Sequence, residues 1–268
     1  MPLVDGLNRR IHYLRISVTD RCNLRCRYCM PEEGIELISR RDILRSEEIV
    51  AIVRVAVRMG IDKVRLTGGE PLIRKNIVDL VEKIAGIPGI LDFSMTTNGI
   101  LLPRLANPLF DAGLQRLNIS LDTVDPDKFF AITRGGDIRE VFAGIQMAQK
   151  AGFETIKINC VIQETSAEPD AQAVARYASE NGLDIRFIRQ MDLEVGQYWA
   201  IEGGTGGDCK ICNRIRLTSD GKIKPCLVND MVFDIRELGA EEAIRQAVRY
   251  KPEKGEFSKK YRFYSIGG

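Results

Sequence analysis

The chain has 268 residues, 44% of them hydrophobic and 28% charged, which is enough apolar content for one sizeable core. A formal charge of +2 and a pI near 8.1 give no global basicity, so nucleic acid is not expected as a partner and any anion site must be local. Residues 1–10 hold no apolar segment of the secretory type, and the longest apolar run, 49–59, is broken by Arg54 and Arg58; no signal peptide and no membrane helix are expected, and the expected location is cytoplasmic.

Residues 14–19 alternate apolar and polar, a strand pattern, and lead straight into a loop with Cys22, Cys26 and Cys29. Ser46 reads as the cap of a helix with Glu47 and Glu48 in its first turn. Ile49, Ile52, Val53 and Ala56 make its apolar face, and Gly60 ends it. A strand at 63–67 follows. The unit then recurs. Helical segments ending near Gly86, Gly113, Gly152 and Gly182 each precede a strand-like run, about 91–96, 115–121, 155–162 and 184–188. Six strands alternating with helices predict an α/β fold with a parallel sheet. They suit an open or partial (β/α)6 barrel of TIM type, and a flat doubly wound sheet is also compatible with the pattern.

Strand parity carries a further expectation. Arg15, Ser17 and Thr19 share one face of the first strand, Lys63, Arg65 and Thr67 one face of the second, and Arg116, Asn118 and Ser120 one face of the fourth. In the fifth strand Lys157 and Asn159 oppose Ile156, Ile158 and Cys160. If the apolar faces pack on helices, the lumen is polar and cationic. Buried unpaired cations cost several kcal/mol each, so Arg15, Lys63, Arg65, Lys157 and Arg186 are expected to converge on a polyanion. Asp122 and Asp184 are available to neutralise others. Gly68-Gly69-Glu70-Pro71 ends the second strand, where such sheets bind ligands, and the paired glycines would let a ligand approach the backbone.

Residues 192–208 carry five glycines and read as a flexible linker. Beyond it Cys209, Cys212 and Cys226 form C-x2-C-x13-C, with a hairpin expected to turn at Ser219-Asp220-Gly221. The seven cysteines thus fall as two triplets and the single Cys160, which reads as a small buried residue. Two closed zinc sites would need four ligands each, and His12 is the only histidine. Two iron–sulfur clusters, each with an iron left open, need only three cysteines each. The count favours clusters, although C-x2-C with a distant cysteine also occurs in zinc ribbons.

The spacing C-x3-C-x2-C with Tyr28 before the last cysteine, followed by Gly68-Gly69-Glu70, resembles the radical S-adenosylmethionine (SAM) superfamily. With Thr96-Thr97-Asn98-Gly99, Asn118-Ile119-Ser120-Leu121-Asp122, Cys212-Asn213-Arg214-Ile215-Arg216-Leu217 and the final Ile266-Gly267-Gly268, most of the chain resembles a compact variant of the MoaA-type GTP 3′,8-cyclase family. That resemblance implies the partial barrel over 1–191 and an auxiliary cluster region with a Gly-Gly tail over 192–268. It implies two [4Fe–4S] clusters, on Cys22/Cys26/Cys29 and Cys209/Cys212/Cys226. It implies SAM held by Tyr28, Gly68, Gly69, Glu70, Ser120 and Met191. GTP would lie against Arg15, Lys63, Arg65, Thr96, Lys157, Arg186, Arg214, Ile215 and Arg216, with Arg214, Arg216, Gly267 and Gly268 assisting the reaction. The implied activity is the early step of molybdenum cofactor biosynthesis in which C3′ of the GTP ribose is joined to C8 of guanine. The implied partners are a flavodoxin or ferredoxin as electron donor, the next enzyme of molybdopterin synthesis, and a second copy in a homodimer. Two departures stand out. The 192–208 segment is shorter than in familiar members, and Arg189-Gln190 replaces an acidic–aromatic pair. They keep a rival open, a two-cluster radical SAM maturase for a peptide or other small molecule. A zinc or nucleotide-binding module without catalysis is the third reading.

Overall fold

The structure, a computed structural model, describes residues 2–261 and 263–266. The alternation read from the sequence is realised as β1 (Tyr13–Ser17), α1 (Ser46–Arg58), β2 (Lys63–Thr67), α2 (Ile77–Ala85), β3 (Asp92–Thr97), α3 (Leu102–Asp111), β4 (Arg116–Ser120), α4 (Pro126–Thr133), α5 (Ile138–Ala151), β5 (Thr155–Ile162), α6 (Pro169–Glu180) and β6 (Asp184–Arg189). The chain continues as β7 (Arg214–Leu217), β8 (Lys222–Lys224), β9 (Phe233–Asp234), α7 (Ile235–Leu238), α8 (Ala240–Arg249) and α9 (Phe263–Ile266). The strands form one sheet in the order β6-β5-β4-β3-β2-β1-β7-β8-β9. β1 to β6 run parallel in sequence order, β7 adds to the far edge of β1 in parallel, and β8 and β9 return antiparallel. This is an unclosed, TIM-like α/β barrel whose sheet continues into the C-terminal region. No helix among the described residues is long and apolar enough to cross a membrane.

Helix and strand share one core. Ile49, Ile52, Val53 and Ala56 of α1 are buried with Leu14, Ile16, Val64 and Leu66, the apolar partners in the strand alternation. One detail of α1 differs from expectation. Ser46 is its first residue and Arg45 its cap, where the Glu48 carboxylate accepts the Arg45 backbone N–H at 2.7 Å. A carboxylate at the third helical position reaches back more effectively here than the short serine hydroxyl reaches forward.

The larger difference lies in 192–208. Its glycines are packed, not slack. A Cβ on Gly196 would stand 1.5 Å from the Glu256 carbonyl, and one on Gly207 would stand 1.9 Å from the Trp199 carbonyl. Asp192 and Gln197 exchange backbone hydrogen bonds of 2.9 and 2.8 Å, and Phe187 and Glu202 pair the segment onto the edge of β6. The glycines are therefore there for close backbone approach, and the segment is an ordered strap across the end of the barrel.

Candidate active site

The register of β2, β1 and β7 sets the chemistry of the lumen. Tyr13 lies opposite Lys63 on one side and Arg214 on the other; two residues on, Arg15 lies opposite Arg65 and Arg216. Two rungs of cations thus cross three adjacent strands on the same face. Arg15, Arg65 and Arg216 are only 8%, 6% and 5% exposed. The Tyr13 ring sits among Lys63, Arg65 and Arg214, at 5.0, 5.6 and 5.5 Å from its centroid. Burial, then the facing Arg216, holds the Arg15 guanidinium well below its ordinary range; burial and Arg214 push Arg216 down to about 10. Burial raises the Tyr13 phenol, but the surrounding cations outweigh it and leave the net value below the ordinary one. Among the described residues the Tyr13 hydroxyl, Thr96 Oγ1, Arg186 Nε and Arg214 Nε are buried with no hydrogen-bond partner. Stranded donors among repelling cations fit an anionic ligand.

The cysteine loop closes one end of this lumen. Its backbone is pinned to the end of α4, where Arg25 and Arg27 donate to the Thr133 and Ile132 carbonyls at 3.1 and 3.0 Å. Arg134, in the left-handed conformation, donates to the Arg25 and Met30 carbonyls, both at 2.9 Å. Gly69 and Glu70 donate their N–H groups to Thr19 and Arg21, both at 2.8 Å. A Cβ on Gly68 would meet the Thr19 carbonyl at 2.7 Å, and one on Gly69 the Arg21 carbonyl at 2.2 Å. The paired glycines thus admit the cysteine loop on one side, and both also line the cavity. The Glu70 carboxylate is fixed by three donors, Thr97 Oγ1 at 2.7 Å, Asn98 N–H at 2.7 Å and Leu72 N–H at 2.9 Å. Burial nevertheless raises Glu70 from 4.5 to about 7. A carboxyl group raised on folding is most favourable when protonated. Stability of the ligand-free chain should therefore fall as pH rises from about 4.5 to about 7. Denaturant midpoints across that range check this, and Glu70→Gln should flatten the profile.

Tyr28 donates its hydroxyl to Asp122 Oδ2 at 2.7 Å, and Asp122 Oδ1 accepts the Val161 N–H at 2.8 Å. Asp122 therefore anchors Tyr28 and does not neutralise a lumen cation as expected. Asp184 does so, for Lys157.

One cavity of about 330 Å³ receives most of the residues read from the sequence. Its wall includes Cys22, Cys26 and Cys29, the SAM candidates Tyr28, Gly68, Gly69, Glu70, Ser120 and Met191, and the anion candidates Arg15, Lys63, Arg65, Thr96, Arg186, Arg214 and Arg216. Two candidates are not on that wall. Lys157 faces Asp184 across the β5–β6 register and is ion-paired to it. Ile215 is fully buried on the opposite face of β7 from Arg214 and Arg216, as strand alternation requires. Gly267 and Gly268 lie outside the described residues, although Ile266 before them is fully buried and Phe263 lines the cavity. Residues missed by sequence reasoning include Asn98, which donates to Asn23 at 2.8 Å and approaches the Cys22 sulfur at 3.9 Å. Arg189, marked in the sequence only as a departure from the family, stacks over Trp199 of the strap at 4.1 Å from the ring centroid and lines the cavity too. No alternation flags Asn98, because it follows β3, nor Arg189, which ends β6 on the opposite parity from Arg186.

Cys209, Cys212 and Cys226 line a second cavity of about 80 Å³ that shares Met191, Gly207, Arg214, Arg216 and Leu227 with the first. The hairpin β7–β8 turns at Gly221, in the left-handed conformation at φ 91°, and returns Cys226 to the pair as expected. Lys251 donates to the Arg214 and Pro225 carbonyls at 2.8 and 2.5 Å and ties the two arms together. Burial alone would raise the Cys212 thiol, but Lys251 brings it below its ordinary value. Burial raises Cys22 to about 11 and Cys26 and Cys29 to about 12. Among the described residues no three Cys, His, Asp or Glu side chains gather closely enough to hold a single metal ion. Each triplet lines a cavity, and three thiols at a cluster leave one iron open. The residues present therefore fit a cluster ligated by Cys22, Cys26 and Cys29, with a SAM site beside it.

An open α/β barrel with three loop cysteines and a Gly-Gly-Glu turn at its mouth, its carboxylate buried, defines a radical SAM enzyme; the radical SAM superfamily model matches residues 16–178. Solved structures share the fold at low identity. They include the Streptococcus suis protein SuiB bound to S-adenosylmethionine (16% identical, TM-score 0.66, covering 92% of this chain and 66% of that one). Native anSMEcpe with bound AdoMet is a second (17% identical, TM-score 0.64, covering 90% and 81%). Curated relatives are nearer in sequence. The GTP 3′,8-cyclase of Moorella thermoacetica is 42% identical over 92% of this chain and 93% of that protein. That of Pseudomonas putida is 38% identical over 95% and 93%. That of Peptoclostridium acidaminophilum is 39% identical over 99% and 98%, aligned across 320 positions against the 268 residues here, so it carries sequence this chain lacks. The chain belongs to the GTP 3′,8-cyclase family.

Proposed function

We propose that this chain is a radical SAM GTP 3′,8-cyclase, which converts GTP to (8S)-3′,8-cyclo-7,8-dihydroguanosine 5′-triphosphate early in molybdenum cofactor biosynthesis. The observation that carries the reading is a pair of adjoining cavities, one at each cysteine triplet, that share Met191, Gly207, Arg214, Arg216 and Leu227, the larger walled by two rungs bearing arginine and lysine. When bound, the first cluster and SAM supply reductive cleavage and a hydrogen-abstracting radical. The chain's own residues bind and orient. Glu70, already fixed by three donors, takes the SAM amino group, and Tyr28, braced by Asp122, flanks the cofactor. Arg15, Lys63, Arg65, Arg186, Arg214 and Arg216 hold the triphosphate in a buried site where such contacts are strong. Holding ribose C3′ against the radical centre is the protein's main contribution to rate.

On this reading Cys209, Cys212 and Cys226 carry a second [4Fe–4S] cluster whose open iron meets the guanine. Residues 1–191 are the barrel unit and 192–268 the unit that presents the substrate. The enzyme works in the cytoplasm, takes its electron from a flavodoxin or ferredoxin, and passes its product to the next enzyme of molybdopterin synthesis. Anaerobically reconstituted protein given SAM, a reductant and GTP should yield one cyclised nucleotide for each 5′-deoxyadenosine. SAM cleavage that never couples to GTP would count against the assignment and reopen the maturase alternative.

A further inference from the structure

We propose that Tyr198 is a positioning residue for the second cluster, its hydroxyl donating a hydrogen bond to the Cys209 sulfur and so raising that cluster's reduction potential. The inference rests on the reading of Cys209, Cys212 and Cys226 as cluster ligands. The Tyr198 hydroxyl stands 3.4 Å from Cys209 Sγ and 3.2 Å from the Gly255 carbonyl. A phenol has one proton to share between them. An iron-bound thiolate is anionic, and a charge-assisted bond to it outweighs one to a neutral carbonyl.

The hydroxyl is delivered by the strap, and several contacts hold it there. The Asp192–Gln197 hairpin ends immediately before Tyr198. Leu193 next to it is fastened by the Ser258 N–H at 2.6 Å. The Tyr198 ring packs on the small core of Leu193, Val228 and Ile266. The far end of the strap closes on its middle, beside Tyr198, because Gly207 lies against the Trp199 carbonyl where a Cβ would stand 1.9 Å away. Cys209 comes two residues later, so the backbone that fixes Gly207 also fixes the sulfur beside the phenol. Reduction adds negative charge to the cluster's sulfurs. A donor aimed at one of them binds the reduced state more tightly and moves the potential upward. The same strap supplies Ile201, Gly204 and Thr205 to the wall of the larger cavity. The segment that covers the substrate thereby also sets the electronics of the cluster next to it.

The test is Tyr198→Phe in a full-length background of Cys22→Ala, Cys26→Ala and Cys29→Ala, reconstituted anaerobically so that only the second cluster is present. Phenylalanine keeps the ring packing and removes the donor. The expected result is unchanged iron content with a midpoint potential shifted to more negative values, read by an EPR-monitored redox titration. An equal potential at equal iron content would overturn the donor role. A phenolate-to-iron charge-transfer band present with tyrosine and lost with phenylalanine would overturn it as well, in favour of direct ligation. A background chain that takes up no iron would overturn the second-cluster reading and this inference with it.

Discussion

Replacing Arg214 and Arg216 together by alanine should reduce formation of the cyclised nucleotide by ~100-fold or more while 5′-deoxyadenosine still appears. Both guanidinium groups come from β7, on the side of the barrel opened by the second triplet, and both line the two cavities. The Gly68-Gly69-Glu70 turn and the first cysteine loop come from other elements, at the end of β2 and after β1. Substrate binding and SAM cleavage should therefore separate. Burial and Arg214 push Arg216 down to about 10, so folding costs its cation something even though it stays charged at neutral pH. Removing two mutually repelling cations, the half-buried Arg214 and the buried Arg216, should leave the melting temperature without GTP close to that of the parent. The stabilisation conferred by GTP should shrink. Product and 5′-deoxyadenosine are measured in the same reaction by chromatography with mass detection. Full cyclisation by the double variant would remove both residues from the substrate site.

The second large effect separates the two triplets. Cys26→Ala should abolish 5′-deoxyadenosine formation altogether, because Cys26 lies within the loop pinned to α4 and no other sulfur there can replace it. Cys212→Ala should keep SAM cleavage and lose the cyclised product. Each variant should retain about half the iron of the parent, about four atoms for one [4Fe–4S] cluster. The buried Cys160 is no substitute ligand, since its sulfur is held 3.8 Å from the Asp122 carbonyl among apolar neighbours. Zinc with no iron or sulfide in the parent protein would defeat both expectations at once.

These outcomes depend on features that are unequally visible in the sequence. The parallel β/α alternation, the cationic face and both cysteine triplets could be read directly, because strand parity and motif spacing are local properties of the chain. Lys157 shows where that logic stops. Its parity is right, but Asp184 lies opposite it on the neighbouring strand and takes its charge. Asp122 is the converse case. It lies at the end of a recognisable motif, but its partner Tyr28 arrives from far earlier in the chain. The glycines of 192–208 carry the composition of a flexible linker, yet backbone from 256 and 199 fills the space where their side chains would stand.

The order of amino acids by itself determined the alternating strands and helices, the polar face of each strand, and the two sets of three thiols, because each is written in spacing along the chain. Only the tertiary structure decided that Arg216, Arg15 and Arg65 stand side by side, that the two thiol sets line adjoining cavities with a shared wall, and that a glycine-rich strap lies packed against that wall. Those are matters of inter-strand register and of which distant backbone fills a given space, and neither is encoded by any single stretch of sequence.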